Sequence, residues 1–351
     1  MMTLRLLPGY QIPTSAVWLL SDIAEHKGRH QLFAGQSPQA LKALLQMALV
    51  QSAESSNRIE GVTVDPARLR PLVLGDAKPR DRSEQEVRGY RRALELIHGR
   101  WQKLDVKVET VRRVHVLAQD GSGDAGKWKK TDNEIVELQP GRPPVVRFRP
   151  VSAKETPKAM EELCLGYRAA IDQAVVPPLV AAAALVLDFL CIHPFRDGNG
   201  RVSRLLTLLA LYQHGHEVGR YVSTERLVED SKEDYYEALR RSSQGWHEGK
   251  HDFAPWLAFL LSIVRRAYVE FQQRAGDVRA PRGAKTQLVE AAFAGFDGDF
   301  SLVDLERKCP GVSRDMVRRV LRDLRSKGLV ACHGRGPGAR WRRRGSTPKR
   351  G

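Results

Sequence analysis

A run of twelve residues, His193-Pro-Phe-Arg-Asp-Gly-Asn-Gly-Arg-Val-Ser-Arg204, combines groups that could bind and activate a phosphate chain. Gly198 and Gly200 allow backbone angles that are closed to bulkier residues, so consecutive N–H groups can point into one concavity and hold an anion. Apolar residues recur at helical spacing from Val202 to Leu209, which predicts that the run opens a helix. The positive end of that helix would attract anions further. We therefore predict a phosphate site at this helix start.

Charged side chains in the same run could complete such a site. Arg201 and Arg204 are three residues apart on one face of the predicted helix, where two guanidinium groups could bind neighbouring phosphate oxygens. Asp197 offers a hard oxygen ligand for a Mg²⁺ ion that also takes phosphate oxygens. His193 is the one group in the run that can accept a proton near neutral pH. A lone Gly-x-Gly is more often a glycine-rich helix start beside a structural histidine, but the co-occurrence of all these roles favours phosphate chemistry.

The run resembles the signature of the Fic/Doc family, H-P-F-x-[D/E]-G-N-G-R-x-x-R, and matches it at every fixed position. The resemblance extends over roughly residues 10–270. Gly126-Lys-Trp-Lys-Lys-Thr and Asn133-Glu-Ile are similar to the family's target-docking flap, and Arg149-Pro150 to the segment after it. Asp234-Tyr-Tyr-Glu-Ala-Leu is similar to the helix beyond the catalytic one. Only one proline stands at position 150, where the family usually has two.

This resemblance implies a helical core that transfers AMP from ATP to a Ser, Thr or Tyr hydroxyl of a protein. His193 would deprotonate the hydroxyl that attacks the α-phosphate, and Asp197 would hold Mg²⁺ between the α- and β-phosphates. Asn199 and the glycine amides would bind the phosphates, while Arg201 and Arg204 would steady the β- and γ-phosphates. The remaining roles, packing of the loop and lining of the adenine pocket, would fall on Phe195 and Tyr236.

A second segment, Ser56-Asn-Arg-Ile-Glu60-Gly61, resembles the family's inhibitory motif, [S/T]-x-x-x-E-[G/N]. The Glu60 carboxylate could pair bidentately with Arg204 and occupy the fork that the γ-phosphate needs, which leaves ATP in an unproductive pose. The alternative is a solvated glutamate at a helix end that pairs with any nearby Lys or Arg. The resemblance favours inhibition, and the same carboxylate could also orient a water for AMP removal.

Composition predicts a soluble, cytoplasmic protein with two or three structural units. The chain has 351 residues, of which 42% are hydrophobic and 28% charged, and its four cysteines form neither a metal motif nor a disulfide framework. The longest apolar run, Leu179 to Ile192, is too short to span a bilayer. Residues 276–351 contain 18 Lys and Arg against 8 Asp and Glu, a local excess of +10 within a total of +16. Such a segment is typical of a partner of nucleic acid.

Hydrophobic periodicity predicts a mainly α fold, a Fic-type helical core with a small β-hairpin flap inside Gly126–Pro150. The helices are predicted at 36–56, 83–101, 108–119, 154–174, 179–192, 200–214, 231–244 and 253–275, the first with Ser37 and Pro38 at its start. The domains predicted are an N-terminal helical region with the inhibitory motif (1–105), the catalytic core (106–275), a linker (276–284) and a C-terminal domain (285–351).

The C-terminal domain is predicted to be a winged helix-turn-helix. Three short helices, at 286–294, 302–308 and 313–327, precede two β-prone runs, Leu329–His333 and Ala339–Arg343, around Gly334-Arg-Gly-Pro-Gly. Its third helix carries arginines as a DNA-recognition helix would, namely Arg314, Arg318, Arg319, Arg322 and Arg325, with Arg340 and Arg342–Arg344 near the wing. The same fold can instead bind proteins, so DNA contact is one of two interpretations.

Three functional hypotheses follow from these residues. The first is an autoinhibited protein adenylyltransferase that uses ATP and Mg²⁺ and modifies a hydroxyl of a partner protein or of the chain itself. The second is a DNA-binding transcription regulator in which the core senses a nucleotide without turnover. The third is other Fic chemistry, either removal of AMP or phosphotransfer. A homodimer is left open, and no membrane partner is expected.

Overall fold

A computed structural model of the chain describes residues 2–34, 38–137, 145–279, 284–296, 298–309, 312–334 and 339–343. These residues form two compact units, Met1–Arg274 and Ala275–Gly351. Within the described ranges, no helix combines the length and the apolar character needed to cross a bilayer.

The first unit is mainly helical, as predicted. Its helices are, in chain order, α1 (Thr3–Leu6), α2 (Thr14–Ala34), α3 (Pro38–Ile59), α4 (Pro66–Leu74), α5 (Arg82–Arg100), α6 (Val108–Ala118), α7 (Thr156–Asp172), α8 (Pro178–Ile192), α9 (Asn199–Gln213), α10 (Thr224–Glu229), α11 (Lys232–Ser243) and α12 (Ala254–Arg279). All eight helices predicted from periodicity in this part of the chain are present, with ends shifted by a few residues.

The differences from the predicted helices have local causes. Helix α2 was not predicted, because its apolar residues are not concentrated on one face. The linker predicted at 276–284 is wrong in its first part, since α12 continues to Arg279, and residues 280–283 lie outside the described chain. Glycine at 276 did not end the helix, which shows that a single glycine in a helical pattern is tolerated. Ser37, the predicted cap of α3, also lies outside the described residues.

Helix α8 forms the centre of the first unit. Every residue from Leu179 to Ile192 is buried, and the helix packs against α1, α7, α9 and α11. The carboxylate of Asp188, inside this helix, accepts hydrogen bonds from the N–H groups of Thr3 at 2.8 Å and Leu4 at 2.9 Å. It also accepts one from the indole of Trp246 at 2.7 Å. A buried acid therefore ties α1 to the core and is satisfied by three donors.

A two-stranded antiparallel hairpin, β1 (Ile135–Glu137) and β2 (Val145–Phe148), projects between α6 and α7 in the sequence. It confirms the predicted flap. Val136, Val145 and Val146 are exposed on it. The predicted turn at residues 139–144 lies outside the described residues.

The second unit contains α13 (Ala284–Ala294), α14 (Leu302–Lys308), α15 (Arg314–Ser326) and an antiparallel pair, β3 (Val330–His333) and β4 (Arg340–Arg343). Phe300 forms a further antiparallel bridge with Trp341. One apolar core joins the three helices and β3, with Val289, Phe300, Leu305, Val317 and Leu321 among its members. The predicted wing residues 335–338 and the arginine at 344 lie outside the described residues.

Candidate functional site

The loop between α8 and α9 adopts two left-handed backbone conformations. His193, directly after α8, has φ 51° and ψ 61°, and Gly198, directly before α9, has φ 80° and ψ 4°. A β-carbon on Gly198 would collide with the side-chain amide of Gln119. Glycine is therefore required at position 198 both by backbone angle and by space.

The loop is closed on itself by Asn199. Its side-chain oxygen accepts the N–H of Phe195 at 2.9 Å, and its side-chain nitrogen donates to the Phe195 carbonyl at 2.8 Å. We expected Asn199 to bind phosphate, but both polar atoms of its side-chain amide are bonded inside the loop. Phe195 is fully buried and packs the loop onto the core, as expected.

His115, on α6, contacts the loop through Phe195 and Asp197. It was not identified from the sequence. Its ring stacks on Phe195 with 3.6 Å between centroids. The N–H of Gly126 donates to Nδ1 at 2.8 Å, so Nε2 carries the proton and donates to the Asp197 carbonyl at 3.0 Å. Burial lowers the pKa of His115, which favours this neutral form. A buried histidine in a helical pattern gave no signal that it would meet a loop more than seventy residues away.

The first turn of α9 presents main-chain N–H groups to a cavity. The first four N–H groups of a helix have no partner within it, and the first bond back to the loop here runs from Val202 to Gly198 at 2.9 Å. Among the described residues no side chain caps this turn. Gly200 lies on the wall of a cavity of about 210 Å³. The same cavity is lined by Glu60, Ile135, Phe148, His193 and Tyr236. The predicted anion site and the predicted base therefore face one space.

The imidazole of His193 is held in its neutral form. Burial, as the largest cause, and the nearby Lys129 ammonium together lower its pKa to about 4, against smaller raising effects of Leu190, Glu60 and Asp197. At neutral pH the ring can therefore accept a proton. This is the state that a general base requires.

Glu60 and Arg204 form the ion pair that the inhibitory motif predicts. Nη2 of Arg204 lies 2.8 Å from Oε1 of Glu60. Nε donates to the hydroxyl of Ser56 at 2.8 Å, and Nη2 also donates to the Ser56 carbonyl at 2.9 Å. Burial lowers the pKa of Arg204, but Glu60 raises it above its ordinary value, so the guanidinium stays charged. The bidentate geometry that we expected is wrong, because Nη2 is the donor that bonds to Glu60, while Nε bonds to Ser56 and Nη1 has no hydrogen-bond partner among the described residues.

Gly200 allows this ion pair to sit against the helix start. A β-carbon on residue 200 would collide with Oε1 of Glu60 and would lie 3.2 Å from Nη1 of Arg204. The carboxylate therefore occupies space directly over the first turn of α9. An anion that approached the Gly200 amide would meet Glu60 there.

Arg201 points to a different partner. Its side chain is buried, and Nη1 donates to the carboxylate of Glu86 on α5 at 2.6 Å, with Asn57 at 3.4 Å. We expected Arg201 and Arg204 to present their guanidinium groups to one phosphate chain. Instead, each is bound by a separate carboxylate in this structure. Glu86 precedes Arg201 by 115 residues, so the sequence alone could not pair them.

Asp197 stands at the exposed edge of the loop. Its side chain is 60% exposed, and Oδ1 accepts the N–H of Gly198 at 2.6 Å. Oδ2 lies 3.6 Å from Arg201 and 3.8 Å from Arg82. No cluster of three or more potential metal ligands occurs in the part of the chain that the structure describes. One accessible carboxylate beside an anion site fits a Mg²⁺ ion that shares its coordination with phosphate and water.

Two further sets of predicted residues can be located. Tyr236, on α11, lines the cavity with 36% of its surface exposed, and the Lys232 ammonium lies 5.9 Å from its ring centroid.

In the second unit, α15 buries Val317, Val320, Leu321 and Leu324. Its arginines are all exposed, namely Arg314, Arg318, Arg319, Arg322 and Arg325.

Comparison with known proteins identifies relatives of this site. A family model described as Fic/DOC family matches residues 105–211, which contain the whole run from His193 to Arg204. The chain is 26% identical over 250 residues to the "Protein adenylyltransferase Fic" of Nematostella vectensis. That match covers 68% of this chain and 52% of the relative, so the chain spans about half of the relative's length.

Solved structures resemble the fold. A Fic family protein from Desulfovibrio desulfuricans G20 matches with a TM-score of 0.62 and 22% identity, over 97% of this chain and 99% of that chain. A Fic domain-containing signaling protein from Bacteroides thetaiotaomicron VPI-5482 matches with a TM-score of 0.60 and 21% identity, over 73% of this chain and 98% of that chain. These findings confirm the family resemblance and the mainly helical fold that the sequence predicts.

Proposed function

We propose that this chain, which carries a Fic/DOC family domain over residues 105–211, transfers AMP from ATP to a Ser, Thr or Tyr hydroxyl of a protein. The observation that carries the proposal is the shared cavity of His193 and Gly200, in which a neutral imidazole faces the open first turn of a helix. The name of the Nematostella vectensis relative supports the same reaction.

The reaction assigns one role to each group. The target hydroxyl gives its proton to His193, and its oxygen bonds to the α-phosphorus of ATP. The bond between that phosphorus and the oxygen leading to the β-phosphate breaks, and pyrophosphate leaves. The amides around Gly200 and the Arg204 guanidinium bind the phosphate oxygens. Asp197 would hold Mg²⁺, which supplies charge neutralisation at the phosphates when bound.

Glu60 acts as an inhibitor in this proposal. Its carboxylate is bound to Arg204 and lies over Gly200, the two groups that the terminal phosphates of ATP would use. The negative charge of the Glu60 carboxylate repels a phosphate that approaches this position. ATP would bind with its α-phosphate out of line with the attacking oxygen. Release of Glu60 from Arg204 would therefore activate transfer.

The test uses the full chain as wild type, Glu60→Gly and His193→Ala, each incubated with α-labelled and γ-labelled ATP. Label from the α-position alone, strongest in Glu60→Gly and lost in His193→Ala, is the result expected. Label from the γ-position alone would show that the chain transfers phosphate and not AMP. ATP binding without any label in all three chains would favour the nucleotide-sensing regulator. Loss of label from a pre-modified target in wild type would indicate AMP removal.

A second candidate function, DNA binding, concerns the second unit alone. Five exposed arginines share the outer face of α15, while the inner face of that helix is buried in the unit's core. An arginine-rich helix face of this kind is suited to the phosphates and base edges of duplex DNA. Arg314 is partly neutralised by Glu306 at 3.2 Å and Arg318 by Asp315 at 3.7 Å. Both arginines are exposed, so the phosphates of DNA could displace these partners.

A further inference from the structure

The side chain of Lys129 is buried beside the catalytic loop, although lysine is rarely buried. It is 5% exposed. Its main-chain N–H donates to the carbonyl of Pro194 at 2.9 Å, and its ammonium donates to the carbonyl of Ile192 at 3.2 Å. One residue thus binds the carbonyls of the residue before His193 and the residue after it.

His193 needs such support because of its backbone. Apart from glycines, His193 and Ala174 are the described residues with positive φ. A left-handed conformation is unfavourable for a residue with a β-carbon and persists where the surroundings hold it. A bond to the Ile192 carbonyl fixes the peptide plane that enters His193, and a bond to the Pro194 carbonyl fixes the chain that leaves it. Both bonds come from Lys129.

Asn133 extends this support to the flap. Its side-chain oxygen accepts the Lys129 ammonium at 2.8 Å, and its side-chain nitrogen lies 3.4 Å from the Phe195 carbonyl. Strand β1 begins two residues later, at Ile135. Lys129 and Asn133 therefore connect the base of the flap to the loop on both sides of the imidazole.

Burial of a charged ammonium group costs free energy, so the hydrogen bonds of Lys129 must offset that cost in the folded chain. Burial lowers the pKa of Lys129 to about 8, against a small raising effect of Asp132. A methionine of similar length would fill the same space without this cost but could not donate a hydrogen bond. Lys158, on α7, is an exposed lysine outside both the flap and the catalytic loop.

We propose that Lys129 is a positioning residue for His193, which holds the loop backbone so that the imidazole faces the cavity and the flap above it. This inference rests on the proposed transferase activity, and it assigns a role to a residue whose hydrogen bonds go to the catalytic loop and to Asn133. Lys129 acts through the geometry of His193, so its loss changes the rate of the chemical step and not the binding of ATP.

The test compares Lys129→Met, Lys129→Arg and the control Lys158→Met in the Glu60→Gly chain. We expect Lys129→Met to lower kcat by about 10- to 100-fold, since small displacements of a reacting group have effects of this size. ATP affinity should stay within about twofold, because the phosphate site is untouched. Lys129→Arg should recover part of the rate, since a guanidinium can also donate to the Ile192 carbonyl and the Asn133 side chain. Lys158→Met should match its parent.

Several outcomes would overturn the proposal: an unchanged kcat in Lys129→Met, a parallel loss of ATP affinity, or an arginine variant no better than the methionine variant. A crystal structure of Lys129→Met gives a readout that does not need transfer activity. We expect His193 to leave its left-handed conformation, and an unmoved His193 would contradict the proposal. Absence of label in the Glu60→Gly parent would instead contradict the proposed function.

Discussion

The carboxylate of Glu60 lies over the backbone of Gly200 so closely that a β-carbon on residue 200 would collide with Oε1. The Glu60 carboxylate thus occupies the space in which the proposed phosphate would bind. In the proposed mechanism, inhibition is a matter of position, since the carboxylate binds the guanidinium and covers the helix start that a phosphate would use.

The substitution Gly200→Ala tests this shared space. The added methyl group should displace the Glu60 carboxylate, which is the end of a flexible side chain, and also obstruct the phosphate. We therefore expect ATP affinity to fall about tenfold or more, a cost of about 1.4 kcal/mol, in both the wild-type and Glu60→Gly chains. Isothermal titration calorimetry measures this affinity. Gly99→Ala, where nothing lies within 4 Å of the added carbon, is the control. If the double variant Gly200→Ala with Glu60→Gly binds ATP as tightly as Glu60→Gly alone, the phosphates do not bind at Gly200.

The pH dependence of transfer should reflect the lowered pKa of His193. A pKa of about 4 means that the ring is neutral above that pH and becomes protonated as pH falls through it. In the Glu60→Gly chain, kcat/KM should therefore persist at pH 5.5, where an ordinary histidine with a pKa of about 6.5 would be mostly protonated. ATP binding measured over the same range corrects for protonation of the nucleotide. A decline with its midpoint near that ordinary value would show that His193 is not the buried base described above.

Asp188 should contribute strongly to stability. Its carboxylate satisfies three N–H donors in the buried centre of the first unit, so Asp188→Ala leaves Thr3, Leu4 and Trp246 without that acceptor. We expect a loss of about 2–4 kcal/mol, seen as a lower Tm by circular dichroism. The control is Asp172→Ala, which removes an exposed ion pair with Arg168 and should cost under about 1 kcal/mol. Equal shifts of Tm in the two variants would refute this role.

Binding of duplex DNA by the full chain should depend on the arginines of α15. Arg318→Ala with Arg322→Ala should weaken binding and reduce the slope of log affinity against log salt by about 0.9 for each lost phosphate contact. Fluorescence anisotropy at several salt concentrations measures both quantities. Arg29→Ala, an exposed arginine of the first unit paired with Glu25, is the control. Absence of DNA binding at low salt would contradict this function and would favour protein binding by the second unit.

The sequence predicted the parts of the site that are close together along the chain. The run from His193 to Arg204 contains its own turn residues and helix start, so local rules were sufficient. Glu60 was predicted through a motif, since spacing cannot tell which arginine a distant glutamate meets. The partner of Arg201 and the role of Lys129 were not predictable, because both depend on contacts more than sixty residues apart in a packed core. The hydrogen bonds of the Asn199 amide with the main chain of Phe195 were also not predictable from the sequence, because they depend on the folded conformation of the loop.

A crystal structure of the Glu60→Gly chain with ATP tests the central claim most directly. We predict phosphate oxygens within about 3 Å of the Gly200 N–H and of the Arg204 guanidinium, with the His193 imidazole opposite the α-phosphate. A nucleotide bound outside this cavity, or a triphosphate in it with the imidazole turned into the core, would contradict the account.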